Sequence, residues 1–319
     1  MKLPHPLAMH ELLSALEARS YQFVTPTPAT HARVVARRAE ARDLRDVFGW
    51  SLPFQVTTLE PEITDLMRGT DALAERGEML ASTIRVSSLG AHLFAHSAYP
   101  TTANDAVFFG PDSYRFAAFL EAELPKLSRR KHLVDFGAGA GVGAIIAARH
   151  AEDVTLLDIN PSALRLARAN ALHAEINFRI SGAQRWRFLH AASLDAIDAP
   201  IDCIIANPPY IADPAHRAYR DGGGMHGGEL SLAWAREAAQ HLGAGGAFLL
   251  YTGSAIVGGE DLLKSKLIEA LAGFDVSYRE IDPDVFGEEL EREDYAGVDR
   301  IAVVGLVAVS RIQAAPRPG

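Results

Sequence analysis

The chain has 319 residues, 48% apolar and 22% charged, with a net charge of −9 and a single cysteine, Cys203. This composition excludes a disordered, collagen-like or disulfide-stapled chain. The length fits one large domain plus a smaller one, and the acidic balance argues against a protein whose main task is to wrap nucleic acid.

In chain order, the opening residues break their apolar run at His5, His10 and Glu11 and do not read as a signal peptide. No apolar stretch is long enough to span a bilayer, so a cytoplasmic protein is expected. Residues 8–19 and 30–48 read as helices separated by Pro26 and Pro28. In the second, Arg38, Arg42 and Arg45 would share a face, with Arg33 and Arg37 nearby. Glu40, Asp43 and Asp46 are interleaved, so a self-paired, solvated face is the default and docking to RNA or an acidic protein the alternative. Residues 83–96 alternate around Gly90 as a hairpin. His92 and His96 lack metal spacing there, and no metal is expected. Residues 99–105 read as a linker. The expected domains are therefore 1–105, a small α+β substrate-recognition unit, and 106–319.

From residue 106 strands and helices alternate. Strands are predicted at 132–136, 154–159, 186–190, 202–206, 247–252, 275–281 and 301–309. Helices are predicted at 113–124, 141–150, 161–173, 229–242 and 259–272. Buried runs such as LLDI and CIIA between helices point to an α/β, Rossmann-like doubly wound, mostly parallel sheet. The last two strands lack a crossover helix and suit an antiparallel hairpin at the sheet edge. The acidic run Glu288–Asp294 between them reads as a solvated loop or a guard at the substrate entrance. Ser254 and Cys203 read as structural.

Three motifs carry chemistry. Asp135-Phe136-Gly137-Ala138-Gly139-Ala140-Gly141-Val142-Gly143 follows an apolar strand and opens a helix. Glycines there permit a sharp turn and close approach of a ligand to the backbone. Asp158 closes the next strand, roughly 20 residues on, where a carboxylate can accept from ribose hydroxyls. Asn160 is the better cap for the helix starting at Pro161. Asn207-Pro208-Pro209-Tyr210 follows the buried strand Asp202–Ala206. Two prolines hold that chain extended, so the Asn207 side-chain oxygen and the Pro208 carbonyl can converge on one –NH2 group. Tyr210 can stack on a planar amide or base.

Together these motifs resemble class I S-adenosylmethionine-dependent methyltransferases that modify amino or amide nitrogens. The likeness is nearest to the HemK-type glutamine methyltransferases acting on peptide chain release factors. Phe109-Gly110-Pro111-Asp112-Ser113 is similar to that family's Pro-Arg-Pro-Glu/Asp-Thr element, and the resemblance covers about 106–310. It implies S-adenosylmethionine as cofactor, held by Phe109, Asp112, Asp135, Gly137, Gly139, Gly141, Asp158, Ile159, Ser193, Leu194 and Asn207. Ser193 stands where the family usually carries an acidic residue facing adenine. The catalytic set is Asn207, Pro208 and Tyr210. A protein glutamine, with a release factor as partner, is the acceptor this implies. An exocyclic amine of RNA or DNA, a small amine or amide, or cyclisation of the cofactor itself are alternatives. A nicotinamide-dependent oxidoreductase is the rival of different class.

Overall fold

A computed structural model of the chain describes residues 6–178, 185–217 and 219–311. The outer ends of the two expected domains, 1–5 and 312–319, lie outside them. The described residues fall into two compact units that interleave along the chain. Of the described residues, one draws on 6–117, 139–145 and 160–178, the other on 118–138, 146–159, 185–217 and 219–311. This is a division in space, whereas the expected boundary at 105/106 divides the sequence.

The first unit holds helices α1 (Pro6–Ala18), α2 (Pro28–Val35), α3 (Leu44–Phe48) and α4 (Pro61–Gly69), with hairpins β1 (Leu73–Arg76)–β2 (Met79–Ser82) and β3 (Ile84–Leu89)–β4 (His92–Ser97). The β3–β4 hairpin turns at Gly90, as its alternation predicts. α4 and the β1–β2 hairpin were not anticipated. Met9, Leu12, Leu13 and Leu16 of α1 share one core with Phe48, Phe54, Ile63 and Met67, and with Leu166 and Ala169 of α7 (Pro161–Phe178).

The helix expected at 30–48 is two short helices. α2 ends at Val35, and Asp43 starts α3 by accepting from the Asp46 N–H at 2.8 Å. Arg38, Arg42 and Arg45 therefore share no helical face. Arg38 instead pairs with buried Asp46 at 2.7 Å, while Arg33, Arg37, Arg42 and Arg45 are exposed and make no ion pair among the described residues.

The second unit is built on one sheet. Its strands are β5 (Arg130–Phe136), β6 (Ala151–Asp158), β7 (Arg185–His190), β8 (Ile201–Ala206), β9 (Leu242–Val257), β10 (Glu260–Asp261), β11 (Phe274–Asp282) and β12 (Arg300–Ser310). They run in the order β11-β12-β9-β8-β5-β6-β7, and β10 pairs with β9. The pairs from β9 through β8, β5 and β6 to β7 are parallel, while β12 and β11 add antiparallel strands at one edge. This is the Rossmann-like mixed α/β architecture read from the sequence. Helices α5 (Pro111–Glu123) and α6 (Val142–Ala147) flank β5 in sequence, and α8 (Glu229–His241) and α9 (Lys264–Ala270) flank β9. Leu232 and Ala235 of α8 and Leu267 of α9 pack with Val134, Ile204, Phe248 and Leu306 of the sheet.

The helix expected at 259–272 shortens to α9 because Gly258 and Gly259, at φ +59° and +79°, turn the chain back so that β10 pairs with β9. The acidic residues of the run Glu288–Asp294 are exposed as expected of a solvated loop, save Glu289. The segment folds as two 3₁₀ turns, Gly287–Glu291 and Glu293–Tyr295, in which Glu289 and the adjoining Tyr295 are buried. No described helix is long and apolar enough to cross a membrane.

Candidate active site

Strand order reverses between β5 and β8, and in open α/β sheets the crevice at such a switch, outside the strands' carboxyl ends, takes the ligand. Register aligns three of the predicted motifs along that edge. Phe136 pairs with Leu157 on one side and with Ala206 on the other, and Asp158 pairs with His190. Gly137, Asp158 and Asn207 thus sit at the ends of neighbouring strands.

Gly137 adopts φ +74°, and its N–H and that of Ala138 donate to the Leu157 carbonyl at 2.9 and 3.1 Å. A Cβ on Gly137 would lie 3.0 Å from Cζ3 of Trp234 and nearer still to Cη2. That indole stacks on Phe136 at 4.0 Å and 13°. The turn is thus held open to α8 as well as to any ligand, and Trp234 carries no local sequence signal.

Asp158 is buried at the end of β6, and the next side chain, Ile159, is 53% exposed. His190 Nε2 donates to the Ile159 carbonyl at 2.9 Å, fixing this corner. Asn160 caps α7 as expected, its Oδ1 accepting from Ser162 N–H at 2.9 Å. After β7, Ser193 caps a 3₁₀ turn and donates to Glu237 Oε1 at 2.8 Å, and Leu194 N–H donates to the same oxygen at 2.5 Å. Glu237, one helical turn beyond Trp234, is a second residue the sequence reading missed.

The loop after β8 is tightly built. Among the described residues no hydrogen bond engages the side chain of Asn207, which is half-buried. Tyr210 is 6% exposed. Its ring lies against Gly253 of β9, where a Cβ would sit 2.6 Å from Cε2, and meets Phe286 edge-on at 5.9 Å. The glycine run beyond it is packing, not slack. Gly222 N–H donates to the Ile211 carbonyl at 2.8 Å, and a Cβ on Gly227 would lie 2.9 Å from the Ile211 carbonyl carbon. Buried Asp213 accepts from Arg217 Nε and Nη2 at 2.7 and 2.6 Å, and that guanidinium holds the Asp213 carboxyl down at about 2. Cys203, buried in β8, has its thiol pushed up to about 12 by desolvation, which suits a structural role.

The remaining sequence-predicted residues divide between the units. Asp135 is buried within β5 of the sheet unit. In the other unit, Phe109 is buried, stacked on His96 at 5.0 Å and edge-on to Tyr114 at 5.2 Å. Asp112 there pairs with Arg115 at 3.6 Å. Gly139 and Gly141 both take the left-handed conformation, and a Cβ on Gly139 would meet nothing within 4 Å.

Residues 104–269 match the methyltransferase small domain family. The chain belongs to that family. The matched segment is an S-adenosylmethionine-dependent methyltransferase domain, which sets aside the nicotinamide oxidoreductase. A release factor glutamine methyltransferase of Koribacter versatilis is 33% identical over 151 residues, 42% of this chain and 50% of that protein. The ribosomal RNA small subunit methyltransferase C of Pseudomonas paraeruginosa is 32% identical over 138 residues, 41% of this chain and 34% of that protein. The chain thus spans half or less of the length of these relatives. Among solved structures, Pyrococcus horikoshii PH0793 aligns over 96% of this chain and all of its own, with a TM-score of 0.50 and 14% identity, a likeness of fold.

Proposed function

We propose that the protein transfers the methyl group of S-adenosylmethionine to a planar –NH2 group, the side-chain amide of a protein glutamine. The observation that carries this reading is Asn207-Pro208-Pro209-Tyr210 at the end of β8, beside the switch in strand order. The Asn207 oxygen and the Pro208 carbonyl supply two acceptors for the two N–H donors of an amide. An amide nitrogen is a weak nucleophile because its lone pair is delocalised. As it attacks, positive charge grows on nitrogen and its N–H groups become stronger donors. Fixed acceptors therefore favour the transition state over the ground state. Buried Tyr210 gives the loop a rigid base, and alignment supplies much of the acceleration. When bound, the cofactor provides a methyl already activated on a sulfonium.

The residues present fit that cofactor. Asp158 offers a carboxylate to ribose hydroxyls, and exposed Ile159 beside it offers an apolar surface to adenine. Phe109, Asp112, Asp135, Gly137, Gly139 and Gly141 join the set on the motif. Ser193 and Leu194 join it together with Glu237, which brings to this corner the carboxylate that Ser193 lacks. Residues 1–105, which hold none of these groups, are assigned the choice of acceptor.

A second reading, methylation of an exocyclic amine in RNA, is favoured by the exposed Arg33, Arg37, Arg42 and Arg45, which make no ion pair among the described residues. The deciding test supplies methyl-labelled S-adenosylmethionine with either a purified bacterial peptide release factor or ribosomal RNA. Label on a glutamine-containing peptide is expected. Label on RNA bases alone would replace the glutamine acceptor with the second reading.

A further inference from the structure

The loop that carries Asn207 is held from a remote part of the sequence. Its own neighbours secure only one side, where Ile211 bridges to Asp221 and accepts from Gly222 N–H. The other side is met by the segment 286–295, which arrives from the connection between β11 and β12. There the Tyr295 hydroxyl, on a side chain 1% exposed, accepts from Ala212 N–H at 2.9 Å and faces the His226 carbonyl at 3.4 Å. His226 Nδ1 in turn donates to the Asp294 carbonyl at 3.0 Å. Buried Glu289 takes both Arg220, from the loop's return, and Arg292. Three non-glycine residues around this junction, Met225, His226 and Phe286, sit at φ +57°, +52° and +55°. Such conformations cost energy and persist only where the surroundings impose them.

We propose that Tyr295 is a positioning residue for the Asn207–Tyr210 loop, acting through the Ala212 N–H, with Glu289 as its anchor. The inference rests on the reading of that loop as the amide-binding element. It also gives the acidic run a role: its buried member Glu289 and the adjoining Tyr295 fix the loop, and its other acidic residues stay in solvent.

The test uses the full chain and Tyr295→Phe, which keeps the ring and removes the acceptor of the Ala212 N–H. Hydrogen exchange is followed across the chain, S-adenosylhomocysteine affinity is measured by calorimetry, and kcat and KM are measured with a purified bacterial release factor. Exchange over 207–213 should quicken about tenfold or more, because a buried donor loses its partner. Exchange in β5 and β6 and the affinity for S-adenosylhomocysteine should stay as in the wild type. The value of kcat should fall by about 10- to 100-fold, as expected for a misplaced reacting group, with KM for the cofactor unchanged. Glu289→Gln should reproduce the pattern more weakly, and it decides the matter if the tyrosine variant fails to fold. Unchanged exchange over 207–213 overturns the proposal, and so does acceleration across the whole sheet, which marks a merely structural role. If the wild type leaves the release factor unmethylated, the glutamine reading fails, and the exchange pattern still decides the role of Tyr295.

Discussion

Gly253→Ala tests the active loop without replacing any of the residues assigned to acceptor or cofactor. Gly253 lies in β9, and the Tyr210 ring rests on its Cα face. A methyl group added there would stand 2.6 Å from Cε2 and 3.0 Å from Cγ of that ring, and closer to Cδ2. Carbon atoms pack at about 3.5–4.0 Å, so the ring must retreat by roughly 1 Å. It is backed by Phe286 at 5.9 Å and cannot simply rotate away. Overpacking of this kind costs about 1–3 kcal/mol, which a domain of this size survives. Tyr210 is three residues from Asn207 through two prolines, so the displacement reaches the acceptor oxygens. A misplacement of about 1 Å near reacting atoms can cost ~100-fold in rate. Calorimetry should show S-adenosylmethionine affinity unchanged, thermal melting a moderate loss, and single-turnover methylation a fall of about two orders of magnitude. A folded variant with the wild-type single-turnover rate would refute the argument that a Tyr210-backed loop aligns the acceptor.

Other outcomes follow from the same geometry. Asp158→Ala should weaken S-adenosylmethionine binding by ~1.5–3 kcal/mol, the range for hydrogen bonds to a charged group, and calorimetry on the folded variant checks it. Asn207→Ala should bind the cofactor almost as before, because the adenosine is assigned to Asp158 and the glycine turn, and should lower turnover by roughly two to three orders of magnitude; an unchanged single-turnover rate would remove the nitrogen-acceptor assignment. Burial drives His31 and His173 down to about 4 from the ordinary 6.5, so each is held neutral in the fold. The unfolded chain takes up their protons first. Stability is therefore complete above 6.5 and declines as pH falls toward 4. Urea midpoints measured from neutral to acid should show the decline, and His31→Gln with His173→Gln should flatten it; an equal slope in that variant would count against these two groups. Deleting residues 1–105 should leave an aggregating protein, because Leu166 and Ala169 of α7 share their core with α1; a soluble, monomeric truncation by light scattering would contradict this.

The sequence by itself determined the sheet class and the local chemistry at its edge. Apolar runs such as Cys203–Ala206 and the glycine turn after Phe136 depend on short-range pattern, and they lie where that pattern put them. Asn160, read as the cap of α7, bonds the Ser162 N–H for the same local reason. Helix lengths were less legible. The run 30–48 keeps helical spacing, but Asp43 and Asp46 find better partners by starting a new helix. Tertiary structure alone decided which residues support the site. Trp234 beneath Gly137, Glu237 beside Leu194, Gly253 under Tyr210 and Tyr295 on Ala212 each act across more than 40 positions of chain. No periodicity or motif encodes such a pairing. It arises only when the strand order β9-β8-β5-β6 brings separate segments to one edge, where burial makes a hydrogen bond or a close contact decisive.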